Sequence, residues 1–254
     1  MKKVKRKMVN ETGTAYVYFA DLKAASDNID RKELIRMMGE VGLGKKMQRA
    51  VSEIYKETKS RIVIGERIVG EFWLCIGVRQ GCPLSPTLFN IAFADLERKI
   101  KLCQEAGLVL EREKVWSITY ADDGALVAGS NERLQKIVNR VGKYVEKKGL
   151  WVNAEKSKVM RFREGKGRWK EMKIFWKGEE IEEVNEFSYL GYKMGRDNGE
   201  QAHIKHLKKK AMGVLGRVWS IGERKLGESW SGSMRLFDAL VASVITYGAE
   251  IWGW

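Results

Sequence analysis

The chain has 254 residues, 44% of them hydrophobic, enough to bury one large core or two smaller ones, which excludes a disordered tail. Forty-seven Lys and Arg against 33 Asp and Glu leave a net charge of +14, which points to a polyanionic partner, nucleic acid ahead of an acidic membrane surface. Cys75, Cys82 and Cys103 form no CxxC pair, so neither a zinc site nor a disulfide framework is expected, and an intracellular compartment, nucleus or cytoplasm, fits best. No apolar h-region of a signal peptide follows the basic start MKKVKRKMVN, and the most apolar long segment, LFDALVASVITYGAEIWGW, is interrupted by Asp238 and Glu250. Neither a signal peptide nor a membrane span is expected.

After a basic tail over 1–14, TAYVYFADL reads as a continuous apolar strand ending at Asp21. A helix is expected from about Asp30 to Glu40, and a second, amphipathic one over KKMQRAVSEIYKE, with Met47, Ala50, Val51, Ile54 and Tyr55 on one face. SRIVIGERIVGEFWLCIG alternates around Gly-Glu-Arg and predicts a hairpin. Pro83 and Pro86 suit the first turn of one helix through TLFNIAFADLERKIKL. A second hairpin over Ser117–Gly129 places Asp122-Asp123-Gly124 at its tip, followed by a helix over NERLQKIVNRVGKYVEKKG with Asn131 as N-cap and Gly149 as its stop. Short strands are expected at LWVN, KVMRF, EMKIFW and FSYLGYKM. From about Gly199 the pattern becomes helical with basic runs, and a final apolar helix begins at Ser231.

Asp122 and Asp123 alone are compatible with a solvated turn. Asp21, at the carboxyl end of another core strand, alters that reading, because strand ends are where sites form. If the two strands are neighbours, two or three carboxylates converge, and like charges at that range call for a cation between them. Hard oxygen ligands suit magnesium, and paired magnesium ions serve in-line phosphoryl transfer.

Five segments in order resemble the palm domain of reverse transcriptases, most closely those of non-LTR (LINE-type) retrotransposons. FADLKAASDNIDR resembles the first motif, GVRQGCPLSPTLFNIAFADL the second, YADD the catalytic motif, GLWVNAEKSK the fourth, and FSYLG the fifth, the primer grip. YGAEIWGW is similar to a segment found beyond the thumb in these elements. One such motif is weak; five in order are strong.

The resemblance implies an α+β fold: a palm over 15–196, an antiparallel sheet backed by helices, then a helical thumb-like segment over 197–254. It implies RNA-directed DNA polymerisation with two Mg2+ ions, deoxynucleoside triphosphates, an RNA template and a DNA primer. Asp21 and Asp122 would hold both metals, with Asp123 beside them as a weaker or indirect ligand. Arg79, Gln80 and Gly81 would lie under nucleotide and template, and Tyr189, Leu190 and Gly191 would hold the primer end. Lys156 aligns with a lysine assigned to protonating the departing pyrophosphate. Each has a plainer reading as turn, surface or core. The same holds for the basic runs KKVKRK, REGKGRWK and KHLKKK and for Trp169 and Trp176, which are phosphate-contacting and base-stacking candidates. His203 and His206 share a helix face but, with no nearby Cys, make a poor metal site.

Two departures stand out. The position between Ala25 and Asp27 is usually a bulky aromatic that blocks a ribonucleotide 2′-hydroxyl; here it is Ser26, which implies weakened selection of deoxynucleotides. The first catalytic motif begins about twenty residues from the start, so the chain is read as a fragment lacking the fingers and endonuclease segments of a longer element. The alternative is a palm and thumb remnant that binds nucleic acid without polymerising. An intron-encoded maturase shares the acids, but FSYLG and YGAEIWGW favour the retrotransposon group.

Overall fold

An uninterrupted apolar run can form a central strand covered on both faces, and TAYVYFA does so as β1 (Thr14–Ala20), where Ala15, Val17, Tyr18 and Phe19 are all buried. The computed structural model describes residues 14–102, 107–110, 113–163, 172–196, 200–221 and 229–252. The basic start, Cys103, Trp169 with most of its basic run, and the last two residues of YGAEIWGW lie outside the described residues. Two compact units are present, the larger taking Tyr16–Val159 with Trp169–Glu183 and the smaller built mainly on Val184–Trp254.

In the larger unit the helices α1 (Arg31–Glu40) and α2 (Lys45–Lys56) form where periodicity predicts them, and Asp30 caps α1 by accepting from the Lys32 and Glu33 amides. Their apolar faces meet α3 (Ser85–Ala92) around Leu34, Met38, Val51, Tyr55, Leu88 and Phe89. Between them, β2 (Lys59–Ile64) and β3 (Arg67–Trp73) pair as the expected hairpin. The single helix expected over 87–102 is instead two, α3 and α4 (Leu96–Lys101). The break turns Asp95 inward, where it accepts from the Tyr144 hydroxyl at 2.5 Å and faces the Lys148 ammonium at 3.4 Å. A tertiary contact thus outweighs local helix propensity.

A short hairpin not anticipated from sequence, β4 (Leu108–Leu110) with β5 (Glu113–Val115), precedes β6 (Ser117–Tyr120) and β7 (Asp123–Ala128). Strand order in the main sheet is β6-β7-β1-β8, with β8 at Lys158–Arg163. β7 pairs antiparallel with both β1 and β6. Across one face lies α5 (Asn131–Lys147), whose Leu134, Ile137, Val138, Val141, Tyr144 and Val145 pack on Tyr18, Leu126 and Ala128. Its cap is Ser130, whose hydroxyl accepts from the Arg133 amide, so Asn131 is already the first helical residue. LWVN forms only a bridge at Val152, and EMKIFW shortens to β9 (Phe175–Trp176), paired with β10 (Glu179–Glu180). Both lose extended length because their backbone groups bond to Lys23, Asp21 and a side chain, Gln135, rather than to a full partner strand.

In the smaller unit FSYLGYKM is two strands rather than one, β11 (Glu186–Tyr189) and β12 (Tyr192–Gly195), because Leu190 and Gly191 reverse the chain. A long helix follows, α6 (Gln201–Ile221). The expected final helix is segmented into α7 (Trp230–Leu236), a π-helical stretch (Phe237–Ala242), α8 (Ser243–Ile245) and α9 (Ala249–Trp252). Positive φ at Gly248 ends its regular course. Ala211, Val218 and Val241 form this unit's core. No helix among the described residues is long and apolar enough to cross a membrane.

Lys148, only 10% exposed, ties α1, α3, α4 and α5 together by donating to Glu33 at 3.0 Å and to the Ala92 carbonyl at 3.1 Å. Arg36, ahead of Lys148, holds the Glu33 carboxyl down at about 2. Replacing Lys148 with Met leaves Asp95 a buried carboxylate without its cation, a change that costs about 3 kcal/mol. Urea unfolding at neutral pH is expected to register that loss, and Asp95→Asn added to Lys148→Met should recover part of it.

Candidate active site

Pairing of Ala20 with Gly124 fixes the relation between the acids, since one further antiparallel step sets Asp21 opposite Asp123. Alternation then puts both on the face that carries Phe19 and Ala125, away from the face that Tyr18 and Leu126 present to α5. The hairpin closes at Tyr120 and Asp123, so its tip is Ala121-Asp122 and not Asp122-Asp123-Gly124. Ala121 takes the left-handed conformation there (φ 51°), while Gly124 sits within the strand against Ala20. The consequence is that the acids differ: Asp122 projects from the turn and Asp123 opens the return strand.

Asp21 is half-buried, whereas Asp122 and Asp123 are exposed. Although Asp123 is exposed as a whole residue, partial burial of its carboxyl pushes it up first, and the negative charge of Asp122 and Asp21 adds to that. Among the described residues no group of three His, Cys, Asp or Glu forms a ready-made metal cluster. The donor set nonetheless fits a divalent cation: three hard carboxylates at one sheet end, with mutual repulsion that a cation relieves.

The fourth-motif segment wraps the Asp21 backbone. Its amide donates to the Ser157 hydroxyl at 3.1 Å, and its carbonyl accepts from the Asn153 amide at 2.8 Å. Lys23 donates to the Trp151 carbonyl at 2.8 Å, and Leu22 bridges Val152. Lys156 lies exposed in the turn between Asn153 and Ser157, its amide 3.4 Å from the Asn153 side chain. Ser157 and Asn153 were missed from sequence, although their position beside Lys156 was the available signal.

The first and second motifs are also joined. Ser26 lies in a 3-10 turn (Ala25–Asn28), and its carbonyl accepts from the Val78 amide at 2.8 Å. Gln80 donates its side-chain amide to the Asp27 carboxylate at 2.9 Å. Gly77 makes this approach possible, because a Cβ there would stand 2.5 Å from the Asp27 carbonyl oxygen. Arg79 instead points inward, donating to the Ile54 carbonyl at 2.6 Å and to Thr58, with its guanidinium over the Tyr55 ring. Gly81 (φ 78°) has open space around its α-carbon. Arg31, which closes the first motif but was given no role from sequence, anchors the same region through the Gly77, Tyr55 and Leu74 carbonyls.

In the smaller unit Tyr189 is buried and Leu190-Gly191 form the tip of the β11–β12 hairpin. Lys205, Lys208, Lys209, Lys210 and Arg217 are exposed along α6. His203 is wholly buried while His206 is exposed, so they form no joint site. Trp176 is a core residue against Gly142 and is not available to stack on a base.

Residues 1–194 match the family described as reverse transcriptase (RNA-dependent DNA polymerase). The retrovirus-related Pol polyprotein from type-1 retrotransposable element R2 of Nasonia vitripennis is 27% identical over 135 residues, covering 53% of this chain and 13% of the relative. The RNA-directed DNA polymerase from mobile element jockey of Drosophila melanogaster is 24% identical over 188 residues, 71% of this chain and 20% of the relative. The chain therefore spans a fifth or less of either. Among solved structures, apo telomerase from Candida Tropicalis superposes with a TM-score of 0.55 at 14% identity, over 97% of this chain and 44% of that one, a likeness of fold.

Removing a neighbouring charge should lower the Asp123 titration. Carboxyl-carbon NMR is expected to show Asp123 titrating at lower pH in Asp122→Asn than in the unaltered chain, with a smaller displacement in Asp21→Asn, following the order of their effects.

Proposed function

The chain belongs to the reverse transcriptase (RNA-dependent DNA polymerase) family, and from that premise we propose that it carries the nucleotidyl-transfer site of an RNA-directed DNA polymerase. In this reading residues 15–196 are the palm and 197–254 a thumb-like segment, acting on deoxynucleoside triphosphates with an RNA template and a DNA primer. The observation that carries it is the set of three carboxylates at one end of the sheet, with Asp21 directly after the Ala20–Gly124 pair, Asp123 directly before it and Asp122 at the adjoining tip, the charges of Asp21 and Asp122 both acting on Asp123.

Asp21 and Asp122, with Asp123 beside them, would hold two magnesium ions, which when bound supply Lewis acidity toward the primer 3′-hydroxyl and neutralise charge on the triphosphate. The chain's own contribution is position. Ser157 and Asn153 fix the Asp21 backbone, so the strand end that carries its carboxylate cannot shift without breaking two hydrogen bonds. Gln80 and Gly81 form the floor beneath nucleotide and template, and Arg79 supports that floor from within by holding Ile54 and Thr58. Lys156, exposed one residue from Ser157, is the donor that would protonate the pyrophosphate leaving group. Tyr189, Leu190 and Gly191 would support the primer end.

Extension of a DNA primer on an RNA template with magnesium tests the reading, and Asp122→Asn is expected to reduce it by roughly 10³-fold, the scale of losing one charge-stabilising group. Absence of extension by the unaltered chain, with salt-sensitive RNA binding retained, would favour the nucleic-acid-binding remnant instead. Ser26 makes a separate prediction: Ser26→Phe should raise the preference for deoxy- over ribonucleotides by filling the space beside the sugar. Equal preference in both proteins, measured by single-nucleotide incorporation, contradicts it.

A further inference from the structure

We propose that Tyr247 and His203 are positioning residues that lock the Tyr189–Tyr192 turn into one geometry and thereby make this unit selective for a recessed primer 3′ end; the inference rests on the primer-grip reading of that turn. Tyr189 and Tyr192 are the last paired residues, so Leu190 and Gly191 form a two-residue loop, with φ of 49° and 73°. Both are left-handed, the pattern of a type I′ turn, which Asn-Gly fills easily. Leucine there is unfavourable, because in the left-handed conformation its Cβ crowds the following carbonyl oxygen. Left to local preference, the turn would relax.

Tyr247 prevents that from outside the hairpin. Its hydroxyl donates to the Leu190 carbonyl at 2.5 Å, and a Cβ on Gly191 would lie 3.0 Å from the same oxygen, so the ring closes over the turn. His203, at the start of α6, holds the other end. Its Nδ1 accepts from the Lys193 amide at 3.2 Å; a backbone N–H can only donate, so the ring proton is on Nε2, which donates to the Tyr247 carbonyl at 3.1 Å. The imidazole lies 4.1 Å from the Tyr192 ring, inclined 30°, and Gly248 leaves space for both rings, since a Cβ there would be 3.2 Å from Tyr192.

Tyr247 is therefore bound to the turn twice, by its side chain to Leu190 and by its backbone through His203 to Lys193. The exposed product of this arrangement is the Leu190 tip, 38% accessible and held in a conformation that the hairpin alone would not keep. A fixed apolar tip can discriminate a paired, recessed terminus from a flexible single strand, because only a rigid support resists displacement of an end that must be aligned for attack.

The test compares binding of two probes by fluorescence anisotropy, a DNA primer recessed on an RNA template and the template RNA alone, alongside amide exchange across 189–193. Tyr247→Phe removes one donor and keeps the ring. It is expected to speed exchange at Leu190 and Gly191 and to weaken recessed-primer binding about fivefold, the change one hydrogen bond is worth, leaving single-strand binding as it was. His203→Ala should speed exchange at Lys193, and His203→Gln, which offers both an acceptor and a donor, should restore protection. Discrimination between the probes that survives intact in Tyr247→Phe overturns the proposal alone. An unaltered protein that binds both probes equally overturns the primer-grip reading on which it rests.

Discussion

The antiparallel register between Thr14–Ala20 and Asp123–Ala128 is the constraint on which the candidate site depends. A shift of one residue would reverse every side chain of β1, carrying Tyr18 off the α5 core and Asp21 onto the opposite face from Asp123. Burial of Tyr18, Leu126 and Ala128 against Leu134, Ile137 and Val138 therefore determines which carboxylates can meet. The link from core to chemistry is direct: apolar packing selects the register, and the register brings Asp21 to the Asp122-Asp123 pair that the hairpin already presents.

That arrangement is costly in isolation, and the rest of the larger unit is organised to sustain it. Asp21 is held by backbone and hydroxyl contacts from Trp151 to Ser157, so repulsion from Asp123 cannot be relieved by fraying of the strand end. The second-motif loop is held similarly, with Gly77 admitting close contact to Asp27 and Arg79 spent on interior carbonyl and hydroxyl groups. A net charge of +14 around a local acidic cluster is also an intelligible pairing. The excess positive charge draws in a phosphate backbone at long range, while the cluster favours a hard cation at short range.

Much of this was legible in the sequence where a periodic pattern and the local chemistry agreed. The apolar run before Asp21 and the heptad-like faces of α1, α2 and α5 needed no tertiary information. What escaped depends on contacts between distant residues. The α3–α4 break follows from Asp95 reaching Tyr144 and Lys148, about fifty residues away, and no propensity at Phe93 to Asp95 announces it. The Leu190-Gly191 reversal was hidden because leucine seldom takes the left-handed conformation, which here is supported by Tyr247 from outside the segment. The hairpin tip slid by one residue because Gly124 drew the turn toward itself, whereas the β1 pairing claims Gly124 for the strand.

Backbone conformation carries the same logic further. Among the described residues four non-glycine residues have positive φ: Ala24, Ala121, Lys177 and Leu190. Ala24 precedes the turn that holds Ser26, Ala121 is the neighbour of Asp122, and Leu190 is the tip of the β11–β12 hairpin; only Lys177, in the β9–β10 turn, stands apart. Glycine would relieve the strain at each, but it would also admit right- and left-handed backbone alike, and the neighbouring functional side chain would inherit that freedom. A residue strained in isolation stays put only if its surroundings over-determine it. Tyr120–Asp123 pairing does so for Ala121, the Asp27 amide bond to the Ala24 carbonyl for Ala24, and the Tyr247 hydroxyl for Leu190. Precision at these three turns is therefore borrowed from the contacts around them, backbone bonds at Ala24 and Ala121 and a distant side chain at Leu190, so that Tyr247 matters as much to its turn as the residues that turn presents.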